Sequence, residues 1–355
     1  EQSTNVATVR QSGIELLRIV MMLEIIAHHY VVNSGLLDII SVNMLSSRSL
    51  FLLILGWGGK YAINCFIMIT GYFMCKQEIT LKKFLKLFLE IEFYNIVIYF
   101  LFLITGYDHF SIKNMVKAVL PVYSIGTGFL ASYLIFFLLI PYLNILIKGM
   151  EERVHIRLIV LCILVFTLFP SFLKADVKIG YVGWFMVVYI IAAYIRLYPK
   201  KWFDNSRIWG IATIILLILS WGSVVACTWL SSYLGKAAYY YFVNDSNKIL
   251  ALLPAITTFM YFKNLQLGYK KWINNISSTT FGVLLIHANS DTMRQWLWRD
   301  ILGNAEVFYS EYFVIHAVLS VLGVYIICVM IDLIRLKWLE KPLFRTLDKM
   351  ALMNL

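Results

Sequence analysis

Charged side chains are scarce in this sequence. Only 14% of its 355 residues are Asp, Glu, Lys or Arg, whereas a soluble globular chain has about 25%. Hydrophobic residues make up 61% of the chain and aromatic residues 16%. This composition argues against a soluble protein and predicts a polytopic membrane protein with little room for a soluble domain.

Paired cysteines, linkers and repeats are also missing. The five cysteines lie inside or at the edge of apolar segments and none forms a Cys-x-x-Cys pair, which argues against a disulfide framework and against a zinc site. No metal is expected. No Gly/Ser-rich linker, low-complexity tract or obvious internal repeat divides the chain. We therefore expect one integral-membrane domain over residues 1–355.

Apolar runs, in contrast, are abundant. Judged against the roughly 20 residues that a membrane-spanning helix needs, they predict ten transmembrane helices. The predicted spans are residues 14–33, 58–75, 87–106, 129–147, 157–173, 181–197, 208–230, 249–263, 278–292 and 311–335. The expected fold class is an all-α polytopic membrane protein.

The distribution of Lys and Arg around these spans predicts their orientation. With the amino terminus in the cytoplasm, roughly two in three of the 31 Lys and Arg residues fall on the cytoplasmic side, in agreement with the positive-inside rule. An even number of spans places the carboxyl terminus in the cytoplasm as well. Topology therefore explains the net charge of +11, and no nucleic-acid partner is expected.

The first predicted span carries several ionisable side chains. Arg18, Glu24, His28 and His29 lie within it, and such groups inside a membrane usually face a bundle interior or a wet cavity. Arg18 and His29 are eleven residues apart, so they share one helical face and lie about 16 Å apart along the axis. Glu24 and His28 are four residues apart and form a second polar stripe. The helix thus carries a cation toward the cytoplasm and two imidazoles toward the exterior.

Two further groups of polar residues lie at the ends of spans. His287 and Asn289 are at the external end of the ninth span. Lys82, Lys83 and Lys86 are at the cytoplasmic mouth of the third span, where their ammonium groups could hold phosphates as point charges. Ordinary positive-inside flanking explains the three lysines equally well.

Taken together, five stretches of the chain resemble the membrane-bound type 3 acyltransferase family. The Arg-x10-His spacing of Arg18 and His29 is the hallmark of that family. The other stretches are INCFIMITGYFM (63–74), YLIFFLLIPYLN (133–144), WFMVVYIIAAYI (184–195) and FGVLLIH (281–287). The resemblance covers essentially the whole chain. It implies a multi-pass protein of a bacterial cell membrane that transfers an acyl group, most often acetyl, from cytoplasmic acyl-CoA to a hydroxyl of an extracytoplasmic saccharide or cell-envelope polymer.

The resemblance also implies roles for individual residues. His29 is expected to be the general base, because histidine titrates near neutral pH, and Glu24 or His28 is expected to orient the site or relay protons. The donor is expected at Lys82, Lys83, Lys86 and Arg18, and the acceptor at His287, Asn289, Trp184 and Tyr72. Many family members have arginines where the three lysines stand, so bidentate phosphate contacts are lost here.

Other interpretations compete with this one. Arg18 could be a snorkelling side chain, Glu24 could form a buried salt bridge with His28 or a lysine, and Trp184 could be a packing residue. At the level of the whole protein, a transporter or flippase for a lipid-linked saccharide also places buried charge along a substrate path, although no inverted repeat is visible. A third alternative is a non-catalytic subunit of a glycan-synthesis complex.

Overall fold

The computed structural model describes residues 11–120, 128–173 and 177–349. These ranges are helical and contain no β-strand. The α-helices of the first half are α1 (Ser12–Val32), α2 (Leu36–Val42), α3 (Ser47–Leu55), α4 (Gly59–Met74), α5 (Leu81–Ile104), α6 (Ile112–Val119), α7 (Phe129–Lys148) and α8 (Glu152–Ile163). Those of the second half are α9 (Tyr181–Leu197), α10 (Ser206–Leu234), α11 (Ile249–Lys263), α12 (Lys271–Ser277), α13 (Thr280–His287), α14 (Asp291–Gln295), α15 (Asn304–Val307), α16 (Phe313–Arg335) and α17 (Lys341–Lys349). Segments of π-helix follow α8, α14 and α16 at Leu164–Leu173, Trp296–Ile301 and Leu336–Glu340, and a 3-10 turn spans Lys201–Asp204.

Six helical segments of the described ranges are long and apolar enough to cross a membrane. They are Ser47–Met74, Leu81–Ile104, Phe129–Lys148, Glu152–Leu173, Ser206–Leu234 and Phe313–Lys349. Tyr181–Leu197 and Ile249–Lys263 are shorter apolar helices. The expectation of an all-helical membrane protein is therefore confirmed, while the number of ten crossings stays a prediction.

The ninth predicted span is divided in the structure. Instead of one helix over residues 278–292, α13 ends at His287 and α14 begins at Asp291. The predicted orientation, with both termini in the cytoplasm, also stays a prediction, because the spans are recognised by length and composition, which do not distinguish the two sides of the membrane.

Helix α4 lies at the centre of the bundle and packs against α1, α9 and α11. Glycine permits close contact here, since a Cβ added to Gly71 would lie 3.0 Å from backbone atoms of Tyr189 on α9. Small residues at such positions let membrane helices approach each other closely. Helix α1 also contacts α13 and α16, so it is enclosed by other helices.

The outer surface is apolar along α10 and α16. Ile214 and Ile218 on α10 and Leu319 and Ile326 on α16 are all more than half exposed. Exposed apolar surface of this extent marks contact with another apolar phase, and in a membrane protein that phase is the lipid. The polar side chains of α1 thus lie inside a bundle whose outer helices face the bilayer.

Candidate active site

A cavity of about 820 Å³ opens between α1, α4, α5, α7 and α13. Arg18 and His29 both line it, so the helical face that they share is turned toward this space. Lys83 and Lys86 of α5 and Asn289 after α13 line it too. A volume of several hundred cubic ångströms is typical of sites for small molecules, which span about 300–1,000 Å³.

His29 lines this cavity and contacts His287, which lies outside the lining. Nδ1 of His29 lies 3.1 Å from Nε2 of His287, and the two ring centroids are 5.2 Å apart. Nδ1 of His287 lies 2.6 Å from the backbone carbonyl oxygen of Val283, one turn earlier in α13. His287 is fully buried, so these contacts hold its ring in place. The fold thus joins two histidines that are 258 positions apart in the sequence.

The break between α13 and α14 places the side chain of Asn289 at the cavity. Three residues separate His287 from α14, and the hydroxyl of Ser290 accepts a hydrogen bond from the N–H of Met293 at 3.1 Å. A serine N-cap of this kind stabilises the start of a helix. Asn289 lies within the break, where its amide donates to Oδ1 of Asn95 at 3.1 Å.

His28 lines the same cavity but has a different partner. Its Nδ1 lies 2.5 Å from the carbonyl oxygen of Gly56, and its ring centroid is 5.8 Å from that of His29. Gly59 leaves room for the ring, because a Cβ added there would lie 2.9 Å from Nδ1 of His28. The turn between α3 and α4 therefore holds His28 beside His29.

Glu24 lies outside the cavity lining and packs against the same turn. A Cβ added to Gly58 would lie 3.1 Å from Cδ of Glu24. Among the residues that the structure describes, Glu24 forms no ion pair with His28 or with a lysine. Its part in orienting the site stays a prediction.

Two of the three lysines at the start of α5 reach the cavity. Lys83 and Lys86 line it, whereas Lys82 lies outside the lining and forms an ion pair with Asp348 of α17 at 2.6 Å. Lys86 pairs with Glu340, also at 2.6 Å. Lys83 and Lys86 are therefore placed to contact a ligand in the cavity, and Lys82 is not.

Arg18 is weakly paired. Its Nε lies 3.7 Å from the carboxylate of Glu15, and this nitrogen is buried without a hydrogen-bond partner within the described part of the chain. The side chain as a whole is 35% exposed. A guanidinium that keeps unused donors beside a cavity is suited to binding an anion.

Trp184 and Tyr72 lie outside the cavity lining. The indole N–H of Trp184, which is 1% exposed, donates to Oδ1 of Asn64 at 2.9 Å. The hydroxyl of Tyr72 accepts a hydrogen bond from Arg196 at 3.0 Å, and the Arg196 guanidinium carbon lies 4.8 Å from the Tyr72 ring centroid. These contacts join α4 to α9, and contact of either residue with a substrate stays a prediction.

Lys60, at the start of α4, is a cavity residue that the sequence reasoning missed. Its ammonium donates to the hydroxyl of Tyr181 and lies 5.0 Å from the centroid of that ring. Lys60 falls within a predicted span, so the rule that intramembrane charge marks function could have found it.

A buried ion network at the end of α16 was also missed. Arg335 lies 2.6 Å from both Asp332 and Glu340, through Nε and Nη1. Its Nη2 lies 2.8 Å from Glu90 of α5, which lines the cavity. The hydroxyl of Tyr94, also on α5, donates to Asp332 at 2.7 Å. The network therefore fixes α5, the helix that carries Lys83 and Lys86.

The chemistry of the cavity follows from this inventory. It combines imidazoles, which can take up a proton, with cations, which can stabilise negative charge. Within the described ranges, no three His, Cys, Asp or Glu side chains are grouped so that they could hold a metal ion. The arrangement suits the transfer of a group to a hydroxyl.

Comparison with known proteins supports the same kind of chemistry. Neither the curated proteins nor the solved structures gave a match. Among protein families, the acyltransferase domain matches residues 11–332, which confirms the resemblance stated from the motifs. A match of this extent makes the protein an acyltransferase, which moves an acyl group from a donor to an acceptor substrate. The chain belongs to the acyltransferase 3 family.

Proposed function

We propose that this membrane protein transfers an acyl group, most often acetyl, from cytoplasmic acyl-CoA to a hydroxyl of an extracytoplasmic saccharide or cell-envelope polymer, with His29 as the general base. One observation carries the proposal. His29, which lies 3.1 Å from His287, lines a cavity that is also lined by Arg18, Lys83 and Lys86.

The cations support a donor that carries phosphate groups. Arg18, Lys83 and Lys86 all line the cavity, and guanidinium and ammonium groups bind phosphates through charge-assisted hydrogen bonds. Arg18 and His29 are about 16 Å apart along α1, so a long donor can bind at the cations while its acyl end reaches the base. Lys82 is not part of this proposal, because it pairs with Asp348 outside the cavity.

The proposed reaction needs one proton acceptor and one route for that proton. His29 takes the proton of the acceptor hydroxyl while the hydroxyl oxygen forms a bond to the acyl carbon. The carbon–sulfur bond of the thioester then breaks, and the proton passes from His29 to the thiolate sulfur. Lys60 lies on the same wall, where a cation lowers the energy of the negative charge that develops on the carbonyl oxygen.

The acceptor is proposed to bind near the break that follows α13. The amide groups of Asn289 and Asn95 lie there and line the cavity, and amides both donate and accept hydrogen bonds, as sugar hydroxyls require. His28 is retained as a residue that orients the acceptor or relays a proton. The topology predicted from Lys and Arg places this end toward the exterior, which favours an envelope saccharide as the acceptor and a bacterial cell membrane as the location.

The proposal is tested with purified protein and acyl-CoA labelled in the acyl group. We expect the His29→Ala variant to lower the rate of acyl transfer by about 10²- to 10⁴-fold, the usual contribution of a general base. His28→Ala is expected to lower it less. His155 is a buried histidine of α8 whose Nε2–H donates to the carbonyl oxygen of Ile190 at 2.9 Å and which lies outside the cavity lining. It supplies the matched control His155→Gln. A His29→Ala variant with the wild-type rate would refute the assignment of the base.

A further inference from the structure

The hydrogen bonds of His287 determine which of its ring nitrogens carries the proton. Nδ1 of His287 lies 2.6 Å from the carbonyl oxygen of Val283. A carbonyl oxygen only accepts hydrogen bonds, so Nδ1 of His287 must be the donor. In a neutral imidazole the other nitrogen is then an acceptor. Nε2 of His287 therefore offers a lone pair.

The proton position on His287 determines the one on His29. Nε2 of His287 lies 3.1 Å from Nδ1 of His29. Because Nε2 of the neutral His287 ring can only accept, Nδ1 of His29 must carry a proton and donate it. The remaining nitrogen of His29, Nε2, is then unprotonated. The chain of hydrogen bonds runs from His29 through His287 to the carbonyl of Val283.

We propose that His287 is a positioning residue, which holds His29 in the tautomer with a proton on Nδ1 and a lone pair on Nε2. Without a fixed partner an imidazole can place its proton on either nitrogen, and the Nε2–H form would lack the lone pair at the nitrogen that acts as the base. In general, the hydrogen bond that one ring nitrogen of a histidine makes determines which of the two nitrogens is protonated. This assignment replaces the acceptor-binding role that the sequence suggested for His287.

The surroundings of His287 fit a positioning role better than contact with a substrate. The side chain is fully buried, and His287 is absent from the cavity lining although His29 lines it. The ring packs edge-on against Trp298, with centroids 6.4 Å apart. Both ring nitrogens of His287 are already engaged, so none is left for the acceptor.

The hydrogen bond between His29 and His287 becomes stronger as charge develops during the reaction. When His29 takes up a proton, its Nδ1–H becomes the donor of a charge-assisted hydrogen bond, which is stronger than the neutral bond in the ground state. An interaction that strengthens in the transition state raises kcat and leaves substrate binding unchanged. This kinetic consequence rests on the proposed function, whereas the tautomer itself does not.

The tautomer is measured without any activity assay. In the purified protein labelled with 15N at histidine, nitrogen resonances distinguish a protonated from an unprotonated ring nitrogen. We expect His29 in the wild type to carry its proton on Nδ1, and we expect His287→Leu to redistribute it between the two nitrogens. His28 is the internal reference, because its partner is the carbonyl of Gly56, which the substitution leaves in place. A wild-type His29 that carries its proton on Nε2 would overturn the proposal.

Kinetics of two variants separate positioning from mere packing. His287→Leu removes the acceptor, and we expect kcat to fall about 10- to 100-fold, the range of a hydrogen bond to a charged group, with little change in the KM of the donor. His287→Gln offers an amide oxygen near the position of Nε2, and we expect it to recover most of that loss. Equal losses in both variants, or a loss confined to KM, would contradict the positioning role.

The two readouts also separate this proposal from the proposed function. If His29 has the expected tautomer but His29→Ala keeps full activity, the assignment of the base fails and the tautomer assignment stands. If His29→Ala is inactive but His29 carries its proton on Nε2, the assignment of His29 as the base stands and the positioning role of His287 fails.

Discussion

Replacing Arg335 by methionine tests the buried ion network that fixes α5. Arg335 is 6% exposed and binds Asp332, Glu340 and Glu90 at 2.6, 2.6 and 2.8 Å. Methionine fills a similar volume without a charge. The substitution leaves three carboxylates buried together, and among the described residues only Glu340 keeps an ion pair with another cation, Lys86, at 2.6 Å.

The expected cost follows from this geometry. Hydrogen bonds to charged groups contribute about 1.5–3 kcal/mol each, but three bonds from one guanidinium are not additive. Removing one partner of a buried ion pair costs about 3–5 kcal/mol, because the remaining charge is left uncompensated. We therefore expect Arg335→Met to lower the free energy of unfolding by about 3–5 kcal/mol.

The measurement is the unfolding of the purified protein in detergent, followed by its helical circular dichroism. Tyr94→Phe is the matched control, because it removes only the hydroxyl that donates to Asp332 at 2.7 Å, and it should cost about 1.5–3 kcal/mol. Arg335→Lys keeps a charge but loses the fork of donors, so its stability should fall between the wild type and Arg335→Met. An Arg335→Met protein within about 1 kcal/mol of the wild type would refute the reasoning, since that is below the cost of any broken buried pair.

Two further substitutions separate the cavity from its surroundings. Lys83→Gln should weaken the binding of acyl-CoA, measured by calorimetry. Lys82→Gln should not, because Lys82 pairs with Asp348 outside the cavity. Equal effects would mean that the donor is bound by the total positive charge at the start of α5 and not by Lys83 itself. Trp184→Phe leaves the side-chain oxygen of Asn64 without the indole donor, so it should lower the free energy of unfolding by about 1–3 kcal/mol and leave the KM of the donor unchanged. A raised KM with unchanged stability would place Trp184 in the site.

Helical periodicity predicted the part of the site that lies on one helix. The 3.6-residue repeat put Arg18 and His29 on one face, and both line the cavity. Glu24 and His28 were predicted as a second stripe, and both lie against the turn between α3 and α4. Periodicity predicts the face on which a side chain lies, but it does not predict the partner that the face meets.

Contacts between distant segments could not be predicted in this way. The pairing of His29 with His287 depends on how α13 packs against α1, and the sequence placed the two residues only at a similar depth. Lys82 and Lys83 look equivalent in the sequence. In the structure Lys82 pairs with Asp348 of α17, whereas Lys83 lines the cavity. The ion network likewise depends on the contact between α5 and the end of α16, although Asp332 and Arg335 are spaced to share a helical face.

The most direct test of the account is a structure of the whole protein bound to a non-hydrolysable acyl-CoA analogue. The account predicts that the phosphates contact Arg18, Lys83 and Lys86, and that the acyl carbonyl lies beside Nε2 of His29. A coenzyme bound outside this cavity, or an acyl group that lies away from His29, would contradict the central claim.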